Sequence, residues 1–244
     1  MRPILSIIIP TLNEEHYLPK LLDDLAGQTE KNFEVIIADG NSSDTTRKQA
    51  ESFEKQLHLS FYLSPKRQLA LQRNFGASKA KSDYLFFLDA DTRLSSTIIE
   101  TISKHIRKEK YSLYLPLLKS SNPGLQYSAL VSFTVNIVKL LHKVGRPLSI
   151  GPLIIIKKDV FNAIGGFSLQ TTASEDHNLI IKAHKMGIKA HFLSDVKCVF
   201  SMRRLERDGI LAILLKYARF TAETLIRGGV YSSTKYEMGG QDYQ

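Results

Sequence analysis

Tyr84-Leu85-Phe86-Phe87-Leu88-Asp89-Ala90-Asp91 decides the fold. Five consecutive aromatic or aliphatic residues fit a strand buried on both faces, as in a parallel sheet covered by helices. Two carboxylates then stand at the carboxyl end of that strand, the edge where open α/β sheets bind their ligands. Similar apolar, β-branched runs occur at Ile4–Ile9, Phe33–Ala38 and Leu59–Leu63. Helical patterns fill the gaps at roughly 15–27, 44–56 and 67–81. Strand–helix alternation of this kind predicts a Rossmann-like α/β fold with a mostly parallel central sheet flanked by helices.

The second half is less regular. Pro123-Gly124 marks a loop, and a helical pattern runs over about 125–142. A turn at Gly145–Pro147 leads to a strand at Leu153–Ile156. A short helix at Asp159–Ile164 ends at Gly165-Gly166, and another spans Asp176 to Lys185 and stops at Gly187. Short strands at 189–193 and 196–200 precede a last amphipathic helix at about 206–226. There is no internal repeat or low-complexity linker. The chain therefore reads as one domain over 1–244, with a nucleotide half over about 1–118 and an acceptor half over about 119–244.

Bulk composition narrows the functional classes. A length of 244 residues suffices for one α/β domain with a real core. Cys198 is the one cysteine, so no intrachain disulfide can form, which suits a reducing, cytoplasmic setting. Ile4–Ile9 is too short for the apolar region of a signal peptide. The most apolar long stretch, Leu125–Leu141, is interrupted by Asn136 and Lys139, so no transmembrane helix is expected. The net charge of +9 suits a phosphorylated small molecule or an anionic membrane surface. The aromatic–basic interleaving of nucleic-acid modules is missing, and no nucleic-acid partner is expected.

Twelve aspartates give on the order of one chance D-x-D, so the position of Asp89 and Asp91 matters more than the pattern. On an extended segment the two carboxylates point to one side. As hard oxygen ligands they suit Mg²⁺ or Mn²⁺, which also take substrate phosphates. A helix cap would need only one carboxylate. Pro10-Thr11-Leu12-Asn13-Glu14-Glu15 and Asp39-Gly40-Asn41-Ser42-Ser43-Asp44 follow the first two strands and share the same sheet edge. They supply acceptors for a base and ribose, and helix N-termini for phosphate. Neither G-x-G-x-x-G nor a P-loop is present. Glu175-Asp176 opens a helix just after a Thr/Ser-rich loop, which puts a carboxylate at a cleft rim, where a general base is needed.

These segments, with Gln72-Arg-Asn-Phe-Gly-Ala77 and Gly166-Phe167, resemble family 2 glycosyltransferases of the GT-A fold over essentially residues 4–205. The resemblance implies a nucleotide-sugar donor, a UDP- or GDP-sugar, and an inverting transfer assisted by a divalent cation. It implies that Pro10, Thr11, Asn13 and Glu14 line the nucleotide pocket, that Asp39 meets the base, and that Asn41 lies near the ribose. Arg73 and Asn74 would approach the nucleotide and its phosphates. Asp89 would face ribose and metal, Asp91 would bind the metal, and Asp176, beside Glu175, would be the catalytic base. In Ser201-Met-Arg-Arg-Leu205, Leu205 stands where many members carry tryptophan, which argues against processive polymer synthesis; Arg203 and Arg204 are expected to clamp the diphosphate. The acceptor is expected to be a glycan or a lipid-linked molecule. The basic, apolar last helix points either to core packing or to peripheral contact with an anionic membrane.

A nucleotidyltransferase also uses two metal-binding carboxylates but would show a Gly-rich, Lys-containing first loop, whereas Thr11–Glu15 contains no glycine. A non-catalytic nucleotide-sugar-binding protein would have no use for Asp176. His177, His184 and His191 read as helix and strand surface rather than as a metal cluster.

Overall fold

The computed structural model describes residues 2–122, 124–171, 173–200, 209–227 and 229–230. The four apolar runs of the first half become β1 (Leu5–Thr11), β2 (Phe33–Asp39), β3 (Leu59–Leu63) and β4 (Tyr84–Phe87). All four are parallel to one another, through β3–β2, β2–β1 and β1–β4 ladders. They are joined by α1 (Leu18–Ala26), α2 (Thr46–Glu51) and α3 (Leu69–Lys79). After β4 come α4 (Ile98–Glu109), β5 (Leu113–Ser120), α5 (Leu125–Lys143), β6 (Ile154–Lys157), α6 (Lys158–Ala163), α7 (Glu175–Lys185), β7 (His191–Phe200) and α8 (Ile210–Arg227). The seven strands form one sheet in the order β3-β2-β1-β4-β6-β5-β7. Of these, only β6 runs against its neighbours.

Side-chain alternation explains the two layers. Ile7 and Ile9 of β1, with Val35 and Ile37 of β2, enter one core together with Leu18, Leu21, Leu22 and Leu25 of α1 and Ile98, Ile99, Ile102 and Ile106 of α4. Ile8 and Ile36 face the opposite way and meet Ala70 and Ala77 of α3 and Leu179, Ile180 and Ala183 of α7. A period of two along each strand therefore feeds two helix layers. Helix α3 lies so close to the sheet that a Cβ on Gly76 would stand 2.6 Å from Ile8 Cγ2. This approach anchors the helix that carries Gln72 and Arg73.

Three elements differ from expectation. β5 is absent from the expected strands, because Pro116 interrupts its apolar run. The strand tolerates proline because the β5–β7 register shifts between Pro116 and Leu117, a bulge where a missing N–H is harmless. The two short strands expected at 189–193 and 196–200 are one strand, β7, paired with β5 on either side of that shift. Asp89-Ala90-Asp91 is a turn rather than an extended segment, with the Thr92 amide donating to the Asp89 carbonyl at 3.1 Å. Helix α4 begins only at Ile98, so neither carboxylate caps it.

Candidate active site

The carboxyl ends of β1, β2 and β4 are stitched together before any ligand is considered. Gln72, buried on α3, donates from Nε2 to the carbonyls of Thr11 (2.8 Å) and Ala38 (2.9 Å), tying the tips of β1 and β2. Asp39 is 1% exposed. Its carboxylate accepts from Thr11 Oγ1 (3.2 Å), the Ser42 amide (2.8 Å) and Ser42 Oγ (2.5 Å). Asn13 and Asn41 adopt left-handed φ values of 54° and 65°, which asparagine tolerates better than most residues. Asn13 Oδ1 accepts from the Ser43 amide at 2.8 Å, and the Asn41 carbonyl accepts from Arg67 Nη2 at 2.8 Å. Asp44 holds the start of α2, accepting from the Thr46 amide at 2.9 Å.

Beside this edge opens a cavity of about 690 Å³. Pro10, Thr11, Glu14, Arg73, Asp89, Asp91, Glu175 and Asp176 all line it. Asp39, Asn13, Asn41 and Asn74 do not; their side chains or backbones organise the loops behind the wall. Arg203 and Arg204 lie outside the described residues.

Arg73 is the junction of the site. Its side chain is 2% exposed, and it donates from Nη2 to Asp89 Oδ1 (2.7 Å) and from Nη1 to Glu175 Oε1 (2.6 Å). One guanidinium thus joins the turn after β4 to the start of α7, 102 residues away in sequence from Arg73. Burial alone would push the guanidinium toward neutrality, but Asp89 and Glu175 more than offset this and raise its pKa. The Phe167 ring lies 5.3 Å from the guanidinium carbon. Asn74 fixes Phe167 through both amide atoms, each at 2.8 Å from the Phe167 backbone. Gly166 has φ 59°, and a Cβ there would meet Asn74 Oδ1 at 2.6 Å, so this turn requires glycine.

Asp176 is held from its other side. The buried Ser149 hydroxyl donates to Asp176 Oδ2 at 2.6 Å and lies 2.7 Å from His177 Nδ1. Burial pushes the Asp176 carboxyl up, but His177, the Ser149 hydrogen bond and Arg73 outweigh it, and the group is held below its ordinary value. Glu175 moves the other way: burial and the neighbouring Asp176 raise it despite Arg73. Ser174, just before them, adopts φ 60°, a strained value for a non-glycine residue. Sequence reasoning does not single out Ser149 or Gln72 individually. Gln72 opens the Gln-Arg-Asn motif, and Ser149 sits in an irregular stretch that carries no pattern.

The donor set fits a hard divalent cation. Asp89 and Asp91 come from one turn on the cavity wall, and Asp89 remains 31% exposed although Arg73 takes its Oδ1. Part of the cavity wall is apolar, lined by Phe133, Ile137 and Leu141 of α5 and by Phe220 and Leu225 of α8. Phe220 of α8 is buried beside Ala173 and Val230, whereas Leu215, Tyr217 and Ile226 are exposed. Of α5, Leu125, Phe133, Ile137 and Leu140 are exposed, as is Val144 just after it. No helix among the described residues is long and apolar enough to cross a membrane.

Comparison with known proteins places this geometry. The family model described as glycosyl transferase family 2 matches residues 6–171. An uncharacterised glycosyltransferase of Haemophilus influenzae is 31% identical over 187 residues, covering 73% of this chain and 61% of that protein. The GalNAc(5)-diNAcBac-PP-undecaprenol beta-1,3-glucosyltransferase of Campylobacter jejuni is 31% identical over 103 residues, 41% of this chain and 33% of that protein. The chain thus spans less than two thirds of the length of these relatives. Among solved structures, Staphylococcus aureus TarS with UDP-GlcNAc aligns at a TM-score of 0.68 with 23% identity, covering 81% of this chain and 58% of that one. The mannosyltransferase PcManGT of Pyrobaculum calidifontis, with GDP-Man and Mn²⁺, aligns at 0.68 with 20% identity, covering 90% and 65%. Both likenesses establish the fold.

Proposed function

Since the chain belongs to glycosyl transferase family 2, we propose that it moves one hexose from a nucleoside-diphosphate sugar to an acceptor hydroxyl or phosphate, with inversion at the anomeric carbon. The observation that supports this most is the Asp89–Arg73–Glu175 bridge, which brings the D-x-D turn and Asp176 to one cavity wall. In this reading residues of about 1–118 hold the donor and residues of about 119–244 shape the acceptor site. Asp89 and Asp91 hold Mg²⁺ or Mn²⁺; when bound, the ion neutralises the charge that develops on the departing diphosphate. Thr11, Glu14 and the loops organised by Asp39, Asn13 and Asn41 receive the nucleoside. Asp176, kept ionised, takes the proton of the acceptor hydroxyl as that oxygen attacks. Arg73 keeps Asp89 and Glu175 in place and is a positioning residue. PcManGT and TarS are described with GDP-Man and UDP-GlcNAc respectively, which supports a sugar nucleotide as donor here.

Thermal shift with UDP- and GDP-sugars, with and without Mn²⁺, identifies the donor. A specific sugar nucleotide at a hundredfold excess over its dissociation constant should stabilise the protein by about 2.7 kcal/mol, and more with Mn²⁺ present. A flat response to every sugar nucleotide would remove the proposal.

The apolar part of the cavity wall favours an acceptor with a hydrocarbon portion, presented at a membrane on the cytoplasmic side. This is in keeping with the undecaprenol-linked substrate in the name of the Campylobacter relative and with cell-envelope glycan synthesis. Exposed Leu125, Phe133 and Leu140 on α5, with Lys139 and Lys143 on the same helix, suit contact with an anionic bilayer. Each basic group near such a surface contributes about 1 kcal/mol, screened by salt. The protein should therefore sediment with anionic liposomes at low salt and be released as salt rises. Equal recovery in the supernatant with anionic, neutral and no liposomes would exclude membrane contact.

A further inference from the structure

The sheet edge opposite the donor cavity carries a second cluster that glycosyl transfer does not use. β7 runs parallel to β5, both run antiparallel to β6, and β6 is antiparallel to β4; the start of β7 therefore lies at the amino edge. His191 opens β7, Asp195 follows four residues later, and His105 and Glu109 are one turn apart at the end of α4.

His105 Nδ1 and His191 Nε2 each lie 3.3 Å from Glu109 Oε2. That oxygen is buried and makes no hydrogen bond among the described residues. A charge-assisted N–H···O bond would draw in to about 2.7–2.9 Å. In a tetrahedral zinc site with bonds of about 2.0–2.1 Å, however, the edge between two ligand atoms is about 3.3–3.4 Å. The three candidate ligand atoms lie within 4.8 Å of one another, so only the edge between the two nitrogens has room left to close. The outer contacts fit as well. His105 Nε2 stands 2.8 Å from Asp195 Oδ2, a carboxylate able to hold the Nε2 proton when Nδ1 is given to a metal. The Tyr111 ring stacks on His191 at 4.4 Å with an interplanar angle of 12°, fixing that imidazole.

We propose that His105, Glu109 and His191 form a structural site for a borderline transition-metal ion, Zn²⁺ first, with water as fourth ligand and Asp195 orienting His105. Two imidazoles and one carboxylate favour Zn²⁺ over the Mg²⁺ or Mn²⁺ suited to the all-oxygen pair Asp89 and Asp91. The ion would pin the end of α4 to the start of β7, a strand at the end of the sheet that pairs only with β5 among the described strands.

Calorimetric titration of the metal-free full chain carrying D91N with Zn²⁺ at neutral pH tests this, because that background removes one of the two donor-site carboxylates. One equivalent should bind, and Co²⁺ in its place should give the intense visible absorption of a tetrahedral site. Adding Glu109→Gln or His191→Ala should abolish the binding, and Asp195→Ala should weaken it about 10–100-fold. If metal-free wild-type protein and D91N both take up no Zn²⁺, the site does not exist. Undiminished Zn²⁺ binding by the His191→Ala or Glu109→Gln variant, with an unchanged circular dichroism spectrum, would equally overturn the assignment. Absence of Zn²⁺ uptake by the wild type decides against the site even if a variant fails to fold. A protein that turns over sugar nucleotides but takes up no Zn²⁺ would separate failure here from failure of the donor site.

Discussion

Asp176→Asn should lower kcat by about 10²–10⁴-fold, the range contributed by a positioned general base. The amide keeps the shape of the carboxylate and an oxygen that can accept the Ser149 hydrogen bond, so the fold and the Arg73 bridge should survive. Donor affinity should stay within a few-fold of wild type, because the base acts on the acceptor. The native group also has a pH signature. Its folded pKa is depressed, so its contribution to stability is present above the unfolded value and is lost as pH falls through the folded one. Wild-type kcat should hold through the ordinary carboxylate range, with the acid limb appearing below it. Turnover against pH, with donor affinity measured by calorimetry, checks both statements. An Asp176→Asn variant that binds donor far more weakly but keeps kcat would remove Asp176 from the catalytic role.

The contrast with Glu175 sharpens this expectation. Glu175 is committed to Arg73 at 2.6 Å, and its pKa is raised. Asp176 has the lowered pKa and a serine hydroxyl as its hydrogen-bond donor. Asp176, rather than the arginine-bound Glu175, is therefore the carboxylate whose replacement is expected to slow turnover.

Much of this arrangement is legible in the sequence because its cause is local. Apolar runs such as Ile4–Ile9 and Tyr84–Leu88 form buried strands wherever helices cover them, and each turn that follows falls at the carboxyl edge. Pro116 hides β5, because the bulge that accommodates it depends on the register with β7, a long-range property. The role of Asn74 is obscured for a similar reason: its partner, the Phe167 backbone, is 93 residues away. Ser149 meets Asp176 only after the irregular stretch before β6 folds back on α7, and no spacing rule encodes that contact. His105 and Glu109 do stand at i and i+4 on a helix, a readable pairing, but their third member comes from β7 and reads alone as strand surface.

In the proposed mechanism the turn after β4 holds the cation and, with it, the diphosphate of the donor. Asp91→Asn removes one charged ligand while preserving shape, so the turn and its Thr92-to-Asp89 hydrogen bond should remain. The loss should appear as coupling between metal and nucleotide rather than as unfolding. Activity should fall about 10²–10³-fold, the range seen when one group that stabilises transition-state charge is removed. Titration calorimetry of nucleoside diphosphate into wild type and D91N, each with and without Mn²⁺, reads that coupling directly. Wild type should bind much more tightly with Mn²⁺, and D91N should bind equally weakly in both conditions; an undiminished Mn²⁺ enhancement in D91N would contradict the assignment.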